Sequence, residues 1–209
     1  MSKNFIGAIG AIQKSIDTNK EFLTQLDGAI GDADHGINMS RGFEAVVTKL
    51  QAEPDLDVSV GLKKVGMILL SSVGGASGPL YGTAFMRAAV PAQSQSDISK
   101  ETAAQMLRAA IDGIKERGKA VPGEKTMLDS LEPAYDALVT GINEGRSFLE
   151  CLDRACGAAE KGVEYTKTII AKKGRASYLG ERSLGHQDPG ATSVLIMLRA
   201  LTDYYRKCV

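Results

Sequence analysis

Apolar positions recur along this chain in steps of three and four, the period of one face of a helix. Ile9, Ile12 and Ile16 begin a stripe that Phe22, Leu23 and Leu26 continue. Met39, Phe43, Val46, Val47 and Leu50 predict a second helix, and Leu62, Val65, Met67 and Leu69 a third over about Val58 to Ser72. Pro79 suits the first turn of a fourth, where a missing N–H costs nothing. Ser99 is placed to cap a fifth that ends near Gly118. A sixth begins near Thr126, with Pro133 expected to kink it or shift its start. The seventh is expected from Ser147 to Lys172, and the last from Gly190 to Lys207. No alternating strand bounded by turn residues is found. The expectation is an all-α fold of about eight helices in a single domain over residues 1–209.

The polar positions add a second pattern. Glycine gathers in four joints: LDGAIGDADHGINMSRG, SSVGGASGPLYG, RGKAVPGEKT and KKGRASYLGERSLGHQDPGATS. Polar, glycine-rich connections on a rigid apolar scaffold are where a binding site is built. Overall charge changes little, because 25 basic residues balance 25 acidic ones. That balance gives no pull toward nucleic acid or a membrane surface. No stretch approaches the ~20 apolar residues of a spanning helix, and the first residues lack the pattern of a signal peptide. Three cysteines without a CxxC pair argue against a disulfide framework or a zinc site. A cytoplasmic protein with reduced thiols is expected.

Asp27, Asp32 and Asp34 fall within eight residues, among Gly28, Gly31 and Gly36. Carboxylates held that close repel unless they are solvated, protonated or share a cation. Their hard oxygens suit magnesium or calcium, and magnesium completes its shell with phosphates and water. EF-hand spacing is absent. The rival reading is plain capping of the helix that follows. His35 and Asn38 adjoin the cluster: Asn38 can bond a phosphate or a base, while His35 alone could be structural. In the second joint, Ser77 and small residues precede a helix, so backbone N–H groups could approach an anion. It matches neither a P-loop nor a dinucleotide-fold motif. The last joint brings Lys172, Lys173, Arg175 and Arg182. Either it is a solvated basic loop, or an arginine there neutralises a transferring phosphoryl group. Asp188 could cap the last helix or meet a ligand. His186 could carry a phosphoryl group, a route the metal cluster makes unnecessary.

In order along the chain, GDADHGINMSRGF, SSVGGASGPLYGT, RGKAVPGEKTMLD and GRASYLGERSLGHQDPGATS resemble the nucleotide-binding subunit of bacterial dihydroxyacetone kinase. The resemblance covers about Asp27 to Leu195. It implies a barrel of about eight antiparallel helices with the nucleotide at one end. It further implies tightly bound ADP or ATP and two Mg2+ ions held by Asp27, Asp32 and Asp34. Nucleotide contacts carry over to His35, Gly36, Ile37, Asn38, Ala76, Ser77, Gly118, Met127, Arg175, Asp188 and Gly190. Met127, ordinary core on its pattern alone, would lie near the adenine. No catalytic residue separate from the nucleotide site is implied; Arg175 would stabilise transition-state charge.

That family has two forms. One is fused to its substrate domain and uses free ATP. The other is a stand-alone subunit whose resident ADP is recharged by a phosphohistidine protein of the sugar phosphotransferase system. With no substrate domain and only about 25 residues before the cluster, the second form is expected. Its partners would be a dihydroxyacetone-binding subunit and the phosphohistidine donor. Two alternatives stand beside it: an ATP-dependent small-molecule kinase subunit, and a nucleotide-sensing module that docks on a transcriptional regulator.

Overall fold

The computed structural model describes residues 2–53, 55–95 and 97–209. Among them are nine α-helices, one 3-10 segment and no strand. The helices are α1 (Ser2–Thr18), α2 (Lys20–Ile30), α3 (His35–Gln51), α4 (Val58–Ser72), α5 (Ser77–Ala88), α6 (Lys100–Gly118), α7 (Leu128–Asn143), α8 (Phe148–Thr166) and α9 (Pro189–Cys208). The 3-10 segment, Arg175–Ser183, precedes α9 and is broken at Gly180. Contacts run α1–α3, then through each consecutive pair to α8–α9, and α9 returns to α1. Eight helices therefore close a ring. The ninth, α2, lies against α3 and α9. The all-α fold expected from the apolar stripes is present, and so is the barrel that the resemblance implies.

The ring closes around Ile12, Ile16, Met39, Phe43, Val65, Leu69, Ile111 and Leu128, all buried. Burying each such side chain contributes about 1.5–3 kcal/mol before entropy is counted. A second cluster, rich in alanine, joins α7, α8 and α9 through Ala134, Leu138, Cys151, Ala155, Ala159 and Leu195. All three cysteines are free thiols.

Local chemistry sets the helix starts. The Ser99 hydroxyl accepts from Thr102 N at α6. Ser147 and Glu150 form a reciprocal capping box at α8. Asp188 accepts from Ala191 N at α9, with Pro189 in the first turn. Each such cap contributes about 1 kcal/mol.

Two boundaries differ from the sequence reading, and one proline is accommodated within a helix. The first stripe is two helices, because the Asn19 side chain donates to the Ser15 carbonyl and turns the chain there. Pro133 lies inside α7, whose start at Leu128 is near the expected Thr126. It leaves the Asp129 carbonyl without its usual donor, and Gly162 of α8 packs directly against that oxygen. Any side chain at Gly162 would strike it. Finally, α8 ends at Thr166, well short of Lys172. Lys125 donates to the carbonyls of Thr166 and Ile169, which satisfies acceptors that have no helical partner beyond that end.

Candidate functional site: an acidic turn beneath converging helix ends

One cavity of about 410 Å³ opens at one end of the barrel, a size that suits a small-molecule ligand. Its lining includes the start of α3 at His35, of α5 at Ser77 and of α9 at Pro189, the entry to α7 at Met127, and the end of α6 at Gly118. Helices that alternate in direction around the ring place several N-termini at this one end. Each N-terminus carries unpaired N–H groups and a positive dipole end, so together they favour an anion.

The turn between α2 and α3 carries the acids. Asp27, on the last turn of α2, is buried. Its Oδ2 accepts from Asp34 N at 2.9 Å and His35 N at 3.1 Å. One carboxylate reaching back across the turn thus supplies the N-terminal cap of α3. Asp34 occupies the cap position and makes no side-chain cap bond. Gly31 packs against the Asp27 carboxylate, where a Cβ would collide with Oδ1. Ala33 adopts a left-handed conformation, φ 60°, at a cost of about 1 kcal/mol. The result is that Asp27, Asp32 and Asp34 each offer an oxygen, and these atoms lie within 4.8 Å of one another. Arg175 Nε is 2.9 Å from Asp32 Oδ2. Among the described residues Arg175 makes the one ion pair with these three carboxylates, although Arg117, Lys125 and Lys173 also line the cavity, and the turn is left short of paired positive charge. Hard oxygen donors in that arrangement fit magnesium, which binds by a few carboxylates and keeps sites for phosphate and water.

Opposite the acids, Gly74, Gly75, Ala76 and Ser77 line the cavity. Gly75 is left-handed, φ 64°, which turns the chain tightly into α5. His35 is buried between two hydroxyls: Nδ1 is 3.0 Å from Ser77 Oγ, and Nε2 is 2.9 Å from Ser193 Oγ. Burial lowers its pKa, against the upward pull of Asp27, Asp34 and the Pro189 carbonyl. Asp188 is pushed up to about 7, chiefly by burial; the Ala191 N–H acts in the other direction. Ile30, Leu80, Ile114, Ala120 and Met127 give the cavity an apolar wall.

Of the residues singled out in the sequence, Asp27, Asp32, Asp34, His35, Ala76, Ser77, Gly118, Met127, Arg175, Asp188 and Gly190 meet at this cavity. Gly36, Ile37 and Asn38 are not in its lining. Gly36 lets α3 approach the Lys20 carbonyl of α2, Ile37 is half exposed, and Asn38 accepts from Arg41 Nη2 at 2.8 Å. His186 is exposed and outside the lining.

The sequence reading missed Lys125. It is fully buried, and its ammonium donates to the carbonyls of Thr166 at 2.6 Å, Ile169 at 3.2 Å and Ser183 at 2.7 Å. All three of its protons are used. Burial lowers its pKa, and the charges of Asp188 and Asp129 counter that. A lysine in a polar loop carries no local sign of this role.

Fold and site together define an all-α domain with an acidic turn that faces several helix N-termini across one cavity. The chain belongs to the DAK2 domain family, whose model matches residues 29–203. It is 53% identical over 184 residues to the ADP-binding subunit of the PEP-dependent dihydroxyacetone kinase of Escherichia coli (strain K12), covering 88% of each chain. It is 40% identical to the ADP-binding subunit of the PTS-dependent dihydroxyacetone kinase of Lactococcus lactis, covering 93% of each. Triokinase/FMN cyclase of Bos taurus is 37% identical over 185 residues, which are 88% of this chain and 32% of that protein. The barrel also superposes on the dihydroxyacetone kinase of C. freundii solved with AMP-PNP and Mg2+. There the TM-score is 0.73 at 23% identity, covering 95% of this chain and 33% of that one. No helix among the described residues is long and apolar enough to cross a membrane.

Proposed function

We propose that this chain is the ADP-binding subunit of a dihydroxyacetone kinase, and that its nucleotide is a resident coenzyme. A phosphohistidine protein of the phosphotransferase system recharges the bound ADP. The resulting ATP passes its terminal phosphoryl group to dihydroxyacetone on a partner subunit. The observation that carries this reading is the meeting of Asp27, Asp32 and Asp34 with the starts of α3, α5 and α9 in one cavity. It occurs in a chain about half identical to a subunit named for ADP binding.

The residues divide the work. Asp27, Asp32 and Asp34 would hold two Mg2+ ions, which would supply charge neutralisation at the phosphates. Ala76 and Ser77, at the start of α5, receive phosphate oxygens. Gly118 and Met127 border the apolar wall, where an adenine ring packs. Arg175 leaves Asp32 for the transferring group, where a loose transition state needs charge neutralisation more than a base. A base that takes the dihydroxyacetone hydroxyl proton then belongs to the partner subunit. Docking beside the site is supported by Tyr178, which is 86% exposed on the Arg175–Ser183 segment, and by Ile37 in the first turn of α3. Exposed aromatic side chains next to a site suit partner contact.

A resident ADP would need binding of about −12 kcal/mol, that of a nanomolar complex, and would then survive purification. The test is to purify the protein without added nucleotide, denature it and chromatograph the supernatant. ADP and magnesium are expected; their absence ends the coenzyme reading. Asp32→Asn is expected to lose the ADP while keeping its helical dichroism. Identity to triokinase/FMN cyclase favours a second reading, a subunit that uses free ATP. Supplying the substrate subunit with either ATP or a phosphohistidine donor separates the two. Sustained turnover on ATP alone selects the second.

A further inference from the structure

Four side chains form a closed bracket beside the cavity. Ser77 and Tyr81 lie one turn apart on α5. Between them the chain of contacts passes through α3 and α9: Ser77 Oγ to His35 Nδ1 at 3.0 Å, His35 Nε2 to Ser193 Oγ at 2.9 Å, and Ser193 Oγ to Tyr81 Oη at 2.7 Å. His35, Ser193 and Tyr81 are buried, while Ser77 lines the cavity. Tyr81 and Ser193 lie outside that lining, so neither meets a ligand there.

At His35 the protons in this bracket can be ordered in two ways, while the Tyr81 hydroxyl has the nearer Ser193 Oγ at 2.7 Å and the Gly190 carbonyl at 3.3 Å as acceptors. A neutral imidazole has one N–H and one acceptor nitrogen. In the first order Tyr81 donates to Ser193, Ser193 donates to His35 Nε2, and His35 Nδ1–H donates to Ser77. The Ser77 proton is then free to point into the cavity. In the second, Ser193 turns its proton to the Gly190 carbonyl, 3.0 Å away. His35 then carries its proton on Nε2, Ser77 donates to Nδ1, and the cavity meets only a Ser77 lone pair. An anion accepts hydrogen bonds and cannot donate one, so it selects the first order. Tyr81 biases the same choice. A Ser193 oxygen that gives its proton to His35 needs a donor of its own, and buried hydroxyls are costly to leave unpaired.

We infer that Tyr81 and Ser193 are positioning residues. They hold His35 with its proton on Nδ1, which frees the Ser77 hydroxyl to donate to a phosphate oxygen. The ring changes tautomer, not charge. The inference rests on the nucleotide reading of the cavity, and its test separates the two.

The chain has two histidines, and the other, His186, is exposed. Histidine-selective 15N labelling with multiple-bond 1H–15N NMR therefore reads the His35 tautomer directly. The protein loaded with ADP and Mg2+ is expected to show the Nδ1–H form. Tyr81→Phe should move His35 toward Nε2–H, with or without ligand. It should also speed ADP release roughly tenfold, the size of one lost hydrogen bond to a charged group. Ser77→Ala should speed release as much, and Tyr81→Phe should add nothing to it. An Nε2–H form in the loaded wild type would overturn the inference. So would an unmoved tautomer in Tyr81→Phe, or additive effects in the double variant. If Tyr81→Phe does not fold, Ser193→Ala with the same release assay takes its place, and unchanged ADP release there counts against the inference. A wild-type protein that binds no ADP would defeat the nucleotide reading, while the ligand-free tautomer comparison would still test the bracket.

Discussion

The acidic turn and the Lys125 junction lie at the same end of the barrel, and both collect charge. Their internal accounts differ. At Lys125 one ammonium meets three carbonyls, and every proton has a partner. At the turn, three carboxylates face one arginine and an open cavity. The first arrangement is complete without a ligand and holds the chain together. The second lacks positive charge and asks for a cation. Charge satisfaction, more than charge itself, separates a structural site from a binding one.

The largest expected effect is at the complete site. Lys125→Met leaves the carbonyls of Thr166, Ile169 and Ser183 without their donor, and at roughly 1–3 kcal/mol for each unpaired buried acceptor it should cost about 3–5 kcal/mol of stability in urea denaturation. A loss below about 1 kcal/mol, accompanied by loss of ADP, would make Lys125 a ligand group and break the contrast.

Next come two aspartates of the turn. Asp27 supplies the cap of α3, whereas the Asp34 side chain caps nothing. Asp27→Ala should lower the stability of the nucleotide-free protein by about 0.5–2 kcal/mol. Asp34→Ala should leave it unchanged or raise it by relieving repulsion. Both should lose bound ADP. If Asp34→Ala were as destabilising as Asp27→Ala and kept its ADP, the turn would be a capping device only.

The last effect, spread over several pH units rather than read at one pH, is a slope linked to Asp188, which stands between the two regions. Its folded pKa is raised from 3.8 to about 7, so the folded state holds its proton more tightly than the unfolded chain does. Stability from this group is fully present below about pH 4 and falls as pH rises toward 7, on the order of 1 kcal/mol per unit at most. His35 acts oppositely, because its folded pKa is lowered: its contribution is present above the ordinary histidine value of 6.5 and is lost as pH falls below it. Asp188→Asn should remove the first slope and leave the second. Denaturation of nucleotide-free, metal-free protein between pH 5 and pH 8 measures both. An unchanged slope in Asp188→Asn would show that its burial has no energetic consequence.

The aspartates were legible because they sit within eight residues among glycines, a pattern visible without a fold. Ser77 was legible for the same reason, as a small polar residue in front of a helix. Tyr81 and Ser193 were not. Tyr81 fits a helical stripe, Ser193 sits inside a helix, and 112 positions separate them. The end of α8 was misjudged for a related reason, since its last carbonyl is satisfied by Lys125, 41 positions earlier.

By itself, the sequence determined the helices, their caps and the local acid turn, because each depends on residues within one or two turns of one another. Tertiary structure decided the rest. Ring closure brings the starts of α3, α5 and α9 to one cavity. It aims a lone arginine at Asp32 and buries one lysine among the carbonyls of two distant segments. Those pairings join groups far apart in the chain. They are enforced by the shared apolar core, whose packing brings remote polar groups into contact and leaves each to find a partner.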